Sequence, residues 1–257
     1  MTARVRAALA GGLCRRNEHV HFLVVRLAIG HYHVTVPDTG TESRPRRITK
    51  RGEVTRAHII DCAADLMYRH GVAATTMDDV RIAADVSKSQ LYRNFPDKNA
   101  LIQAVIGKRA AQVLTRESKR LSRLDSIRGL ERWRDALVQN SQLNHGAYGC
   151  ALGSMVNELS DTNDDARALL DDTLRQWEQL LVDGFSRMVE SGVLRSDADP
   201  EKLAIGMMAA LQGGYLLAQA ARDAAPMNTA LNMAIDSVRA LAADAPAPKR
   251  RRAPKKS

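Results

Sequence analysis

Aromatic side chains are scarce in this chain: Phe, Trp and Tyr make up 4% of 257 residues, while the hydrophobic total is 45%. A core so poor in rings is packed from aliphatic and alanine side chains, which leans towards helix-on-helix packing. Cysteine is equally sparse. Cys14, Cys62 and Cys150 are odd in number, widely spaced and without a Cys-x-x-Cys pair, which argues against a disulfide framework and fits a reducing cytoplasm. No uninterrupted apolar run approaches the ~18 residues of a membrane span. HFLVVRLAIG is broken by Arg26 and lacks a clear small-residue cleavage site, so neither a span nor a secretory signal is expected. Also missing are a Gly-x-Ser-x-Gly elbow, a phosphate loop and a His-Glu-x-x-His pair. Those motifs would supply an exposed nucleophile, a phosphate cradle or zinc ligands. No catalytic residue and no cofactor are expected.

What is present begins with charge, and its location matters more than its sum. The formal charge is +9, but residues 1–50 hold nine Lys/Arg against three acids, and the stretch from Pro246 to Ser257 holds six bases and no acid. The remainder carries 23 basic and 26 acidic residues. The high pI therefore belongs to the two ends, and any case for nucleic acid must rest on particular side chains, because it is particular side chains that neutralise phosphates. Residues 1–48 read as an extension without a core pattern, or as sequence upstream of the true start. HVHFLVV and HYHVTV alternate like short strands there, and no Cys or carboxylate completes a metal site around His19/His21 or His31/His33. Residues 245–257 read as a basic, proline-broken tail.

From residue 49 onward the pattern is helical. Ile59, Ala63 and Leu66, with Ile60 and Met67 beside them, form an i, i+3/i+4, i+7 stripe over 53–70, ended by Gly71. Thr76 opens a second helix reaching about Ala84, with Asp78 and Asp79 in its first turn. Thr-x-x-Asp has capping-box spacing, and both acids suit the positive helix end. This pair is read as capping in preference to acid–base chemistry. Asp85-Val86 makes a turn, Ser87 opens a third helix with Gln90 at capping-box spacing, and Pro96 stops it. Asp97 caps a fourth helix over 98–120. Further amphipathic segments fall near 126–144, 151–160, 164–191, 200–224 and 227–243, with Asp164 and Asp199-Pro200 as helix starts. The expected fold is all-α: a three-helix helix-turn-helix domain over 49–107 and a helical domain over 108–244.

The short helix carries the chemistry. In DVSKSQLYRNFPDK, residues 85–98, a turn of about 100° per residue with Leu91 inward puts Phe95 and Ser87 near the buried side. Ser89 and Arg93 lie opposite, flanked by Gln90 and Tyr92, with Lys88 able to reach outward. Small residues permit close approach to a major groove, Gln pairs with adenine, and Arg pairs with guanine or phosphate. The Tyr92 hydroxyl suits a phosphate. Lys98, with the free N–H groups at the next helix start, makes an anion site. No carboxylate lies on this face. The competing reading is an ordinary short helix whose polar side is merely solvated.

The stretch TRAHIIDCAADLMYRHGVAATTMDDVRIAADVSKSQLYRNFPDKNALIQAVI, residues 55–106, resembles the DNA-binding domain of TetR-family transcriptional regulators. The likeness includes the Gly after helix 1, the Thr-Thr opening of helix 2, V-S-K-x-x-L-Y-x-x-F and the closing Lys. It implies that Thr76 matches a phosphate-contacting helix start and that Ser87 belongs to the same surface. Lys88, Ser89, Gln90 and Arg93 match the recognition surface, while Tyr92 and Lys98 match the backbone clamps. Two departures stand out. The family's usual turn glycine is Asp85, tolerable because Asp enters left-handed conformations more readily than most residues. Its common Gly-Thr is Ser89-Gln90, so an operator sequence does not transfer from relatives.

The resemblance implies that the second domain is a regulatory and dimerisation domain under small-molecule control. YGCALGSMVNELSDTNDDARALL and ALQGGYLLAQAARD are similar to the LmrA/YxaF-like branch of the family. The run Ala209, Ala210, Gly213, Gly214, Ala218 permits close helix approach across an interface. Trp133, Leu137, Met155, Leu174, Trp177 and Met208 are candidate walls of an effector pocket, although Met and Trp at helical spacing more often fill a core. Cys150 is read as a packing position in preference to a redox sensor. The expected protein is a cytoplasmic homodimeric repressor, released from a palindromic DNA operator by an apolar effector, with no metal and no membrane partner. Two other classes compete with it. One is a hydrolase built on Asp78/Asp79, His145 or Cys150. The other is a non-specific nucleic-acid binder driven by the basic ends.

Overall fold

A computed structural model describes residues 50–243. The readings for 1–48 and for the basic tail, including the histidine pairs, lie outside the described residues. Among the described residues the chain forms helices joined by turns: α1 (Lys50–His70), α2 (Met77–Ala83), α3 (Lys88–Asn94), α4 (Lys98–Leu121), α5 (Ile127–Leu143), α6 (Ala151–Leu159), α7 (Asp164–Glu190), α8 (Pro200–Ala221) and α9 (Ala225–Arg239). The one extended pairing described is an isolated antiparallel bridge between Leu194 and Ala242.

The local signals act as the sequence suggests. Thr76 accepts from the Asp79 N–H while the Asp79 carboxylate accepts from the Thr76 N–H, a closed capping box at the start of α2. Ser87 and Gln90 make the same box on α3. Asp97 caps α4 through the Ala100 N–H, and Asp199 caps α8 with Pro200 in its first turn. At α7 the cap is Asn163, so Asp164 sits one residue inside the helix. Gly71 takes φ +87 to end α1, and Asp85 takes φ +50 between α2 and α3, the left-handed turn anticipated for a missing glycine.

The helices α2 and α4 pack on α1 and with α3 make up a head, and α4 then runs on against α7 into a body formed with α5 to α9. Next, α7 packs on α8, α8 on α9, and α9 returns to α5, while α6 lies on α7 and α4. Ile59, Ala63, Val80, Leu91, Phe95 and Ile106 are fully buried under the head, and Leu130, Leu152, Trp177, Leu181 and Phe185 under the body. Among the described residues one carboxylate lies inside. Glu117 is fully buried and accepts from the Trp133 indole N–H at 2.9 Å, from Arg116 at 2.7 Å and from Arg120 at 3.0 Å. Those three donors offset the desolvation that would otherwise keep a carboxylate out of a core.

The helix α8 departs from the expectation that no apolar run is long enough to span a bilayer. Pro200–Ala221 has 22 residues, its most apolar window averages a hydropathy of 1.3, and 39% of that window is buried. Its apolar character is spread over many Gly and Ala residues and is interrupted by Gln212 and Gln219, so the sequence holds no long unbroken apolar run there. The small-residue run divides between two faces. Gly214 and Ala218 are buried, whereas Ala209 and Gly213 face outward in line with the exposed Ile205, Leu216 and Leu217. At Gly214 a Cβ would stand 3.0 Å from the Met227 Cα, so glycine sets the approach of α9.

The turn from α5 to α6 is left-handed at His145, Gly146, Tyr148 and Gly149. At Gly146, φ is +67 and a Cβ would meet the Ala218 carbonyl oxygen at 2.4 Å and the Asp223 nitrogen at 2.8 Å, both backbone atoms. Gly107, in the exposed middle of α4, has nothing within 4 Å of a built Cβ. Gly146→Ala is therefore expected to destabilise by about 2–3 kcal/mol through strain and overpacking. Gly107→Ala is expected to stabilise by about 0.5–1 kcal/mol through helix propensity. Urea midpoints of the two variants should move in opposite directions.

Candidate nucleic-acid interface

The outer face of the head is built on a helix of seven residues. A helix so short does not hold itself together, and Leu91 and Phe95, both at 0% exposure, anchor it. The turn before it is closed by backbone bonds from Asp85 N–H to the Ile82 carbonyl and from Val86 N–H to the Arg81 carbonyl. Pro96 follows Phe95, which leaves the helical region with φ −141.

Lys88, Ser89, Tyr92 and Arg93 are exposed, and among the described residues no ion pair ties up either Lys88 or Arg93. Lys88 Nζ stands 6.0 Å above the centre of the Tyr92 ring, the outer limit of a cation–π contact. Ser89 Oγ lies 3.0 Å from Ser87 Oγ. The face is basic and polar without a carboxylate. Helical rotation puts Ser87 near the buried side, but it is exposed, because as the cap it stands ahead of the first turn.

Gln90 is half-buried and already engaged. Its Oε1 accepts from the Ser87 N–H at 2.8 Å, so a two-point contact with adenine requires the cap to open. Thr76 is committed in the same way: its hydroxyl donates to Asp79 Oδ2 at 2.6 Å. Lys98 is half-buried and donates to the Ala73 carbonyl at 3.3 Å, which leaves further ammonium N–H groups for another acceptor. The capping-box spacing of Thr76 and Gln90 predicts these internal bonds, whereas the bond of Lys98 to the Ala73 carbonyl has no such local signal.

Two contacts from other elements hold this surface and carry no local sequence signal. Arg56 of α1 donates to the Asn94 carbonyl at 2.6 Å and places its guanidinium 4.2 Å from the centre of the Phe95 ring. Glu158 of α6 accepts from the Ala73 N–H at 3.1 Å. The Ala73 peptide is thus held on one side by the body and on the other by Lys98. Tyr68 also reaches the body, donating to the Gly149 carbonyl at 3.4 Å.

The six candidate pocket walls lie in or against the packed core. Trp133, Leu137, Met155, Trp177 and Met208 are buried and Leu174 is half-buried against the core. The Trp133 N–H is spent on Glu117. Of the six, Met155 borders a cavity of about 10 Å³ between head and body, beside Tyr68, Arg109, Ser154 and Glu158. That volume holds about one water molecule. The indole N–H of Trp177 is buried without a hydrogen-bond partner. Cys150 serves as the cap of α6, its Sγ accepting from the Gly153 N–H at 3.4 Å, and burial pushes its thiol up. A buried, protonated thiol is a poor nucleophile. Among the described residues, no cluster of three or more His, Cys, Asp or Glu has metal-ligand geometry.

A capped helix-turn-helix head under a separate helical body defines a class of nucleic-acid-reading regulators. Residues 59–105 match the model of bacterial regulatory proteins of the tetR family, and residues 126–234 match the tetracyclin repressor-like C-terminal domain. Together the two stretches take in more than half of the chain. The HTH-type transcriptional repressor DhaR of Mycobacterium sp. (strain GP1) is 23% identical over 185 residues, 71% of this chain and 91% of that protein. The transcriptional regulator AcuR of Cereibacter sphaeroides is 27% identical over 188 residues, 68% of this chain and 83% of its own. A TetR transcriptional regulator from Chloroflexus aurantiacus superposes with a TM-score of 0.69 at 22% identity, covering 77% of this chain and all of that one. The chain belongs to the TetR family of transcriptional regulators. Its members regulate transcription and are not enzymes, which removes the hydrolase reading. Neither matched description singles out the LmrA/YxaF-like branch.

The α3 box yields a test that needs no DNA. Ser87→Ala and Gln90→Ala should each cost about 1 kcal/mol, and the double variant little more than either alone, because the two side chains form one box. Chemical denaturation of the four-protein cycle measures this. Fully additive losses would show that the two caps act independently.

Proposed function

We propose that this chain is a homodimeric repressor that reads a palindromic DNA operator with α3 and releases it when a small effector binds the body. The supporting observation is the carboxylate-free face of α3, exposed and basic in a central region with more acids than bases. In this reading Arg93 and Ser89 approach base edges, and Lys88, Tyr92 and Lys98 meet phosphates. Gln90, Ser87 and Thr76 act chiefly by holding their helices. The head spans 49–107 and the body 108–244. Repression is the default among relatives, and DhaR is itself a named repressor.

A dimer is supported by α8. Its outward stripe of Ile205, Ala209, Gly213, Leu216 and Leu217 is apolar, and Gly213 has nothing within 4 Å of a built Cβ, so a second copy can come close. Such a pairing explains a span-like helix in a cytoplasmic protein. An effector site in the body is supported by the unpaired indole N–H of Trp177. Buried donors without partners cost stability, and an apolar molecule with a hydrogen-bond acceptor would satisfy one. Because the predicted walls lie in or against the packed core, the effector acts by favouring a more open conformer. Thermal-shift screening of such compounds tests this, and a compound that raises Tm without weakening DNA binding would contradict it.

Binding to a pseudo-palindromic fragment from the chain's own promoter region tests the main reading. Arg93→Ala should weaken specific binding by about 10–100-fold, the range for one base contact. Tyr92→Phe should weaken specific and non-specific binding alike and leave the salt slope unchanged, because a neutral hydroxyl on a phosphate releases no counterion. Specific binding unchanged in both variants would refute the assigned face. Deleting 245–257 separates a second reading: loss of all binding would identify a non-specific binder that works through its basic end.

A further inference from the structure

A carbonyl at the C-terminal end of a helix has no partner within its own turn. The structure fills that gap from another element. Arg56 lies 38 residues before Asn94 and donates Nη1 to its carbonyl at 2.6 Å. The same guanidinium stacks on Phe95, which is fully buried and serves as the C-cap of α3. Arg56 is thus fixed by a charge-assisted bond and by a ring face, and its cation sits at the negative end of the helix.

The bond belongs to a ladder along one edge of α3. Asn94 donates its side-chain amide to the Gln90 carbonyl at 2.8 Å, and the Gln90 side chain accepts from the Ser87 N–H. From cap to cap, the polar side chains of that edge are turned inward on the helix. Those that remain outward are Lys88, Ser89, Tyr92 and Arg93. The edge that fixes the helix and the face that meets DNA are therefore different sets of residues.

We propose that Arg56 is a positioning residue for DNA reading: held between the Asn94 carbonyl and the Phe95 ring, it sets the angle at which α3 presents Ser89 and Arg93. This rests on the reading of α3 as the groove-binding helix. It assigns Arg56 to selectivity without a contact to DNA. Lysine does not replace it, because an ammonium reaches the carbonyl but lacks the planar fork that also covers a ring.

Arg56→Lys and Arg56→Met separate this role from a phosphate contact. The DNA-free arm is amide hydrogen exchange on the whole protein. Exchange at Leu91 and Phe95, whose N–H groups bond to the Ser87 and Leu91 carbonyls, should speed up about tenfold, while Val80 and Ala84 of α2 keep their protection. The DNA arm compares the promoter fragment with a scrambled fragment over a salt series. Specific affinity should fall about tenfold, the loss of one well-made base contact, while affinity for the scrambled fragment and the salt slope stay unchanged. A parallel fall on both fragments, with the slope reduced by about 0.9, would make Arg56 a phosphate contact and overturn the proposal. No change in either arm would overturn it as well. A wild-type protein with no preference between the fragments would instead refute the DNA reading, and the exchange arm would still report whether Arg56 fixes α3.

Discussion

Everything that this surface does depends on burying Leu91 and Phe95. Seven residues give too few internal hydrogen bonds to offset helix nucleation, so α3 exists because those two side chains are sunk into the head. Full burial of each contributes on the order of 1.5–3 kcal/mol. Once the two anchors are placed, the helix has one inward line, and the opposite side is left free for polar groups. Phe95 then does a second job. Leaving the helical region before Pro96, it ends α3 and offers its ring to Arg56.

The head is also tied to the body at Ala73. The Ala73 N–H is held by Glu158 from α6 and its carbonyl by Lys98 at the start of α4. Ala73 precedes Thr76 by three residues, so a shift of α6 moves the loop that sets the start of α2. The left-handed turn at His145–Gly149 meets Tyr68 on the same side of the head. Body and head thus meet through short polar contacts, and under the proposed function a ligand would act through them only by binding two conformers differently.

Most of the helices were legible before the fold was seen, because their signals are local. Thr76/Asp79, Ser87/Gln90, Asp97 and Asp199-Pro200 announce their helix starts within three or four residues. The left-handed turn at Asp85 follows from the family resemblance, which places a glycine there. The illegible part was what those side chains do once packed. Spacing alone presents Gln90 both as a cap and as a base reader, and only the closed Ser87 bond separates the two. Arg56 with Asn94 and Glu158 with Ala73 are 38 and 85 residues apart in sequence, beyond any periodic pattern. Trp133 and Trp177 looked alike as wide apolar rings. One holds a buried carboxylate, while the other leaves its N–H unpaired.

Methylation protection on a bound promoter fragment tests the central claim most directly, because guanine N7 lies in the major groove and adenine N3 in the minor groove. The account predicts protection of guanine N7 in two half-sites about one helical turn apart, and loss of that protection in Arg93→Ala. Protection confined to adenine N3, or binding that shields no N7 position at all, would contradict it.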